Sequence, residues 1–219
     1  MENRYLSIIT NFGCHYKCPY CVVKTNNVNI PKTTLEGLEP LRDAVAFTRA
    51  NIISVSGGGD PLHNYTRNKA YYKKLFKLCE KIDIPLEMHT SYTNMKKFPY
   101  DKCHRVVYHL RSIEQLRDIR RHGNEIVRVV FVVTEDFDDD MLSTIAGLVH
   151  GNENIDELTF RQMVGKDYRT MNYCEDRLEE YHGKLWHYVK QGDYNPYYVN
   201  GDIYYKFSDI GVTGVEEDA

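Results

Sequence analysis

The sequence contains no apolar run long enough to cross a membrane. Its most apolar stretch, from Ile126 to Val133, is interrupted by Arg128, whereas a transmembrane helix needs about 20 apolar residues in succession. The first residues, Met-Glu-Asn-Arg, lack the basic and then apolar order of a signal peptide. We therefore expect a cytoplasmic protein without a membrane partner.

The six cysteines show no spacing typical of a secreted disulfide framework, and this absence favours a reducing compartment. No internal repeat and no low-complexity linker divides the chain. The composition is that of an ordinary globular protein, with 42% hydrophobic and 27% charged residues among 219. This length supports one domain with a substantial core.

The formal net charge is only −3, but the charge is unevenly spread. Residues 66–130 contain 15 Lys and Arg against 7 Asp and Glu. A basic section of this kind can attract a polyanion such as nucleic acid. The alternative is a solvated helix face, because several of the cations stand at helical spacing: Lys69, Lys73, Lys74, Lys77 and Lys81.

Apolar, β-branched segments alternate with segments of helical periodicity along most of the chain. The predicted strands are Tyr5 to Thr10, Ile52 to Ser56, Ile84 to Ser91, Arg105 to Arg111, Ile126 to Thr134 and Leu158 to Met163. The predicted helices run from Thr33 or Thr34 to Arg49, from Lys69 to Ile82, from Ser112 to Arg121 and from Asp138 to Val149. The alternation predicts an α/β fold with a parallel sheet and right-handed crossovers, either doubly wound or curled into an incomplete barrel.

The alternation ends after Gly165. The next segment, Cys174 to Lys190, has an apolar stripe at helical spacing and is predicted to be a helix. A tyrosine-rich segment from Tyr194 to Phe207 contains Asn200-Gly201, which predicts a β-hairpin. This segment either covers a ligand as a lid or protects the open edge of the sheet. The acidic end, Glu216 to Asp218, is predicted to be a frayed tail.

Three cysteines lie close together directly after the first predicted strand. Cys14, Cys18 and Cys21 form the pattern CxxxCxxC, and a loop of this kind can bring three thiolates round one metal centre. An iron–sulfur cube has four irons, so three protein sulfurs leave one iron open to a small ligand.

The CxxxCxxC spacing, with an aromatic residue before the last cysteine, resembles the radical S-adenosylmethionine (radical SAM) superfamily. The resemblance covers about residues 4–165 and implies a partial (βα)6 barrel, with residues 166–219 as a C-terminal helix, hairpin and tail packed on this core. It also implies a single [4Fe-4S] cluster held by Cys14, Cys18 and Cys21. The open iron of this cluster chelates SAM, and reduction releases a 5′-deoxyadenosyl radical.

Two other interpretations of the cysteines remain open. Cys18-Pro19-Tyr20-Cys21 is also the active-site tetrapeptide of glutaredoxins, but a glutaredoxin is about half as long and carries a Thr-Val-Pro turn that does not occur here. A structural zinc site needs a fourth ligand. Cys79, Cys103 and Cys174 each stand alone, although His15 could complete such a site.

A glycine run closes the second predicted strand in the segment Ser56-Gly57-Gly58-Gly59-Asp60-Pro61. Consecutive glycines allow backbone to approach a ligand closely. The run and the acid–proline pair after it resemble the Gly-Gly-Glu-Pro motif of the superfamily, which holds the amino group of SAM. The resemblance assigns Gly58, Gly59 and Asp60 to the methionyl part of SAM, with an aspartate in place of the usual glutamate.

The same resemblance assigns further residues to the cofactor. Tyr20 occupies the aromatic position that contacts adenine, and Thr90 and Ser91 end the third strand where relatives contact the ribose or carboxylate. Arg128 and Arg161 lie inside apolar strands, where an unpaired cation is costly. Each is therefore expected either to bind a carboxylate of SAM or substrate or to form a structural ion pair.

The catalytic residues on the substrate side are not fixed by the resemblance. On the register of the family, His109 and Arg111 of the fourth strand point into the barrel mouth, and Cys174 is a candidate for quenching a substrate radical. The implied substrate is a small polar metabolite, a nucleoside or a modified base. The alternative is a protein substrate, as for a glycyl-radical-enzyme activase or a peptide-modifying enzyme. The implied partner is a one-electron reductant of the flavodoxin or ferredoxin type.

Overall fold

The computed structural model describes residues 2–180, 186–193 and 195–212. The chain divides into two compact units, residues 1–84 with 193–219 and residues 85–192. We call these the first unit and the second unit. This division concerns compactness alone, and the boundary expected near residue 165 stays a prediction. None of the described helices is both long enough and apolar enough to span a bilayer.

The described residues form ten strands and five α-helices. The strands are β1 (Tyr5–Thr10), β2 (Ile52–Gly57), β3 (Leu86–Thr90), β4 (Arg105–Leu110), β5 (Ile126–Val133), β6 (Glu157–Val164), β7 (Thr170–Met171), β8 (Trp186–Val189), β9 (Tyr197–Val199) and β10 (Asp202–Tyr204). The helices are α1 (Val22–Thr25), α2 (Leu41–Thr48), α3 (Lys69–Ile82), α4 (Asp139–His150) and α5 (Glu175–Glu179). The fold is therefore mixed α/β, as the sequence predicts.

In the first unit the strand order is β10-β9-β1-β2. β1 pairs in parallel with both β2 and β9, while β10 returns antiparallel to β9 through the turn at Asn200-Gly201. The predicted hairpin is therefore present. Its first strand covers the edge of β1 that faces away from β2, which fits the edge-cover interpretation of this segment.

In the second unit β3, β4, β5 and β6 form consecutive parallel pairs. β8 also pairs in parallel with β6, and β7 pairs antiparallel with the end of β6. Successive side chains of a strand point to opposite faces, so the register divides these residues into two sets. One set is apolar and includes Tyr108, Phe131 and Phe160. We call the other the polar face, and its members are Glu87, His89, Arg105, His109, Arg128, Glu157, Thr159 and Arg161.

Three predicted helices differ from the structure. The predicted helix before Arg49 begins only at Leu41, because Pro40 lacks the amide hydrogen that a helix interior needs. The predicted helix from Ser112 to Arg121 is a 3-10 segment over Ile113–Asp118, and only Leu116 within it is buried. A segment with so little apolar surface to bury gains little from a longer helix.

The prediction of a helix from Cys174 to Lys190 is wrong for its last described part. Trp186–Val189 is the strand β8, paired with β6, and the Trp186 ring packs on Phe160 with 4.6 Å between ring centroids. Tyr181 and Leu185, which were assigned to this helix, lie outside the described residues, as does the acidic end Glu216 to Asp218. The available edge of β6 thus overrides the helical periodicity of the segment.

Candidate functional site

The three clustered cysteines lie in the loop between β1 and α1 of the first unit. Cys14 is exposed, Cys18 and Cys21 are half-buried, and none of them forms a disulfide. Cys21 is the N-cap residue of α1, and its backbone amide donates to the Cys18 carbonyl oxygen at 3.2 Å. The loop thus presents all three thiols at the carboxyl end of a parallel strand.

The three loop thiols are the donor type that an iron–sulfur cube takes. Within the described residues, no three His, Cys, Asp or Glu side chains are grouped so that they could hold one metal ion. A zinc ion would need such convergence. A [4Fe-4S] cube does not, because each cysteine binds a different iron.

The glycine run packs directly against the cysteine loop. The Asp60 amide donates to the Gly13 carbonyl oxygen at 2.9 Å, and a Cβ atom added to Gly59 would lie 2.2 Å from that same oxygen. Gly13 itself has φ +94°, which favours glycine. The sequence places these two loops at the ends of separate strands, and the structure brings them into contact.

Gly58 lies close to Ile30. Its φ does not lie in the left-handed region, and an added Cβ would lie 2.3 Å from Cδ1 of Ile30. A side chain at this position would therefore collide first with Ile30. The glycines of this run serve the packing of protein on protein, so Gly58→Val would not be a selective test of SAM binding.

We predict that Gly59→Ala destabilises the first unit, because the added methyl group would collide with the backbone of the cysteine loop. Overpacking of this kind costs about 1–3 kcal/mol, which should lower the melting temperature by several degrees. The control is Gly147→Ala in α4, where an added Cβ meets nothing within 4 Å. Calorimetry of both variants checks this, and equal melting temperatures would contradict the close contact.

Asp60 completes the contact between the loops. Its carboxylate is buried, and Oδ1 accepts a hydrogen bond from the Leu62 amide at 2.9 Å. This hydrogen bond spans only two residues along the chain and therefore requires a short side chain. It gives a local reason for aspartate in place of glutamate. Tyr20 is half-buried and directly precedes Cys21.

His63 is a residue of this site that sequence reasoning missed. Its Cδ2 atom would lie 2.9 Å from a Cβ added to Gly13, and its ring stacks at 6° on His15, with centroids 6.3 Å apart. One imidazole therefore belongs to the cysteine loop, and the other packs against it. The only signal in the sequence is the position of His63 shortly after Asp60-Pro61.

The other predicted site residues belong to the second unit. Thr90 is buried at the end of β3, where its Oγ1 accepts a hydrogen bond from the Tyr92 amide at 3.1 Å, and Ser91 is half-buried. Arg111 directly follows β4 and is exposed, and its amide donates to Oε1 of Gln115 at 2.7 Å. Thr90 and Ser91 thus lie at a strand end, as expected.

The two strand arginines have different surroundings. Arg128 lies near the start of β5, and its Nε donates to Oε2 of Glu157 at 2.6 Å. Of the two alternatives for Arg128, a bound carboxylate of SAM or substrate and a structural ion pair, this contact fits the ion pair. Arg161 lies in the second half of β6, and its Nη2 is 3.4 Å from Oε1 of Gln191. Arg161 shares the polar face with His109.

A chain of ionisable groups crosses the polar face. Nη1 of Arg105 donates to Oε2 of Glu87 at 2.7 Å, Oε1 of Glu87 lies 2.7 Å from Nε2 of His89, and Nδ1 of His89 lies 2.9 Å from Nε2 of His109. Burial opposes the ionisation of Glu87, but hydrogen bonds from His89 and Arg105 and the charges of His89 and Arg128 outweigh it and lower its pKa to about 2. Of the residues in this network, His109 alone was indicated by the sequence.

Cys174 lies in the second unit at the N-cap of α5. It is half-buried, and its thiol donates to the Phe137 carbonyl oxygen at 3.2 Å. Burial and the nearby Asp139 and Asp138 carboxylates raise the pKa of this thiol. Cys174 therefore carries its proton at neutral pH.

Comparisons with known proteins give a likeness of fold. No protein-family model and no curated protein matches the chain. Among solved structures it is similar to Streptococcus suis SuiB, whose crystal structure was determined with S-adenosylmethionine bound. The TM-score is 0.63 at 15% identity, and the match covers 97% of this chain and 60% of the SuiB chain. The chain thus spans less than two thirds of the length of SuiB, with which it shares a mixed α/β fold.

Proposed function

We propose that the chain is a radical SAM enzyme built on a partial (βα)6 barrel. The observation that carries the proposal is the contact between two loops: the CxxxCxxC loop after β1 lies against the glycine run after β2, with the Asp60 amide 2.9 Å from the Gly13 carbonyl oxygen. In parallel α/β folds, ligands bind at the carboxyl ends of the strands. The structure of SuiB with SAM bound, which has the same fold, supports this proposal.

Cys14, Cys18 and Cys21 would hold a [4Fe-4S] cluster, and the backbone around Gly58 and Gly59 would hold SAM. When bound and reduced, this pair supplies a 5′-deoxyadenosyl radical that abstracts hydrogen from a substrate. The chain itself fixes the two loops against each other through Asp60 and Gly13. Tyr20, Thr90 and Ser91 are the proposed contacts of the nucleoside part, as the resemblance implies.

The proposed substrate is a small polar metabolite, a nucleoside or a modified base, because the polar face of the second unit carries imidazole and guanidinium groups. An external one-electron reductant of the flavodoxin or ferredoxin type is the proposed partner. Chemistry of this kind requires a closed site. The protein contributes to it by excluding water and oxygen.

The proposal predicts about four irons per chain after anaerobic reconstitution, with all three loop cysteines as ligands. Cys14→Ala should lose most of this iron and the broad visible absorbance, because the cube loses one of its three anchors. The control is Cys174→Ala, which removes a thiol outside the loop and should keep its iron. Iron and sulfide analysis with visible absorbance measures both.

The same experiment separates the proposal from its rivals. Zinc in place of iron would identify a zinc site. Thiol exchange that persists in Cys14→Ala through Cys18 and Cys21 would identify glutaredoxin-like chemistry. Full iron in Cys14→Ala would overturn the three-cysteine cluster, and reconstituted protein that shows no binding of SAM by isothermal titration would overturn the SAM site.

A further inference from the structure

The hydrogen bonds of His89 and His109 fix the protons of both rings. Glu87 is ionised at neutral pH because its pKa is about 2, and an ionised carboxylate only accepts hydrogen bonds. Nε2 of His89 must therefore carry the proton that it shares with Glu87. When His89 is neutral, its other nitrogen is an acceptor. Nδ1 of His89 then accepts a hydrogen bond from the Nε2–H group of His109. This leaves Nδ1 of His109 without a proton.

The second nitrogen of His109 is placed to meet a ligand. His109 is half-buried, and within the described chain its hydrogen-bond contact is the one to His89. Burial, His89 and Arg161 lower the pKa of His109 well below its usual value, while Glu87 opposes this. His109 is thus held neutral, with a lone pair on Nδ1.

A positive charge is better placed on His89 than on His109. His89 contacts the Glu87 carboxylate at 2.7 Å, whereas His109 experiences the Arg161 guanidinium. A proton received at Nδ1 of His109 would therefore be passed on: the bond from Nε2 of His109 to its proton breaks, and that proton binds Nδ1 of His89. The charged groups on the polar face around this pair are Glu87, Arg105, Arg128, Glu157 and Arg161, with His187 of β8 beside Thr159.

Thr159 provides an independent sign of a ligand on this face. Register places His109, Val130 and Thr159 side by side on three adjacent strands. The Thr159 hydroxyl is buried, and within the described residues it has no hydrogen-bond partner. A buried hydroxyl without a partner is costly, so a polar ligand at this level would satisfy it.

We propose that the polar face binds the substrate and that His109 is its acid–base residue, with His89 and Glu87 as positioning residues that take up the charge. This proposal rests on the proposed function. A substrate hydroxyl or ammonium group gives its proton to Nδ1 of His109, its bond to that proton breaks, and the proton on Nε2 moves to His89. The reverse transfer returns a proton to the product, so no oxidant or reductant is needed.

The test is nitrogen NMR of the full, reconstituted chain labelled with 15N histidine, followed from pH 8 to pH 5. At pH 8 we expect His109 to carry its proton on Nε2. His109 should remain neutral down to pH 5, because burial and the Arg161 guanidinium oppose a charge on its ring. A proton on Nδ1 of His109 at pH 8, or a cationic His109 within this pH range, would overturn the relay.

Two sets of variants complete the test. His89→Ala should abolish the preference of His109 for a proton on Nε2, whereas His104→Gln, at an exposed histidine just before β4, should leave this preference unchanged. Thr159→Val should raise the melting temperature, because it removes a buried hydroxyl without a partner, and a lower temperature would overturn the assignment of this hydroxyl to a ligand. None of these readings depends on cleavage of SAM. Missing iron therefore contradicts the proposed function alone, and a proton on Nδ1 of His109 at pH 8 contradicts the relay alone.

Discussion

Removal of residues 193–219 is expected to unfold the first unit. The segment contributes β9 to the edge of β1, where the Ser7 amide donates to the Pro196 carbonyl oxygen at 2.9 Å. Tyr198, Val199 and Ile210 are almost completely buried. Full burial stabilises by about 1.5–3 kcal/mol for each large apolar side chain, so their joint loss approaches the roughly 5–15 kcal/mol stability of a whole domain.

Other contacts of the same segment support this expectation. The Tyr198 hydroxyl donates to the Gly37 carbonyl oxygen at 2.5 Å, and Nδ2 of Asn200 donates to the Lys32 carbonyl oxygen at 2.9 Å. Val199 and Ile210 also form a buried cluster with Ile9 and Ile30, against which Val23 and Val28 pack beside the cysteine loop. On the proposed function, the truncated chain should therefore lose its iron together with its fold.

The measurement is solubility, circular dichroism and iron content of a chain that ends at Gly192. A chain that ends at Val212 is the control, because it retains every contact described above. If the shorter chain stays folded, holds iron and cleaves SAM with dithionite, the segment is not edge cover. A loss of substrate turnover alone would then support the lid interpretation.

The second large effect is expected from Glu87→Ala. Glu87 is buried and pairs with Arg105, which is itself only 8% exposed. Removal of one partner of a buried ion pair costs about 3–5 kcal/mol, and Arg105 would keep Glu157, 3.2 Å from its Nε, as a counter-charge. For a chain of this size we expect a fall of roughly 6–20 °C in melting temperature. Glu153→Ala, at an exposed position, is the control and should change little.

The dependence of stability on pH follows from the same carboxylate. Because folding lowers the pKa of Glu87 from 4.5 to about 2, the unfolded chain binds the proton more readily between these values. The contribution of Glu87 to stability is therefore complete above pH 4.5 and is lost as the pH falls towards 2. Denaturant titrations should show a smaller loss over this range in Glu87→Ala than in the parent chain. Equal slopes would contradict the role of this carboxylate.

The sequence by itself determined where β1 to β6 lie along the chain and which two loops follow β1 and β2. Apolar, β-branched runs bounded by turn residues predicted β1 to β6 closely, since such strands have a strong local signal. The cysteine loop and the glycine run were placed at strand ends for the same reason. The Asn200-Gly201 hairpin was also predicted, because that dipeptide fits a tight turn with positive φ.

Only the tertiary structure decided which residues meet. The helical pattern of Trp186 and Val189 became the strand β8, because an available edge of β6 supplied hydrogen bonds that periodicity does not record. The collision that Gly59 avoids concerns the backbone of Gly13, in a loop that follows a different strand. Contacts of this kind depend on the pairing of β1 with β2, and no local pattern encodes them.

The same reason explains why the sequence did not predict the hydrogen bonds between Glu87, His89 and His109. Glu87 and His89 alternate along β3 as any polar residues of a strand could, and His109 lies 20 residues later on β4. The sequence identified His109 as a candidate through the family register, but its partners follow from the parallel register that sets β3 beside β4. Register is a property of the packed sheet. The sequence therefore determined the chemical groups, and the tertiary structure alone determined the hydrogen bonds between them.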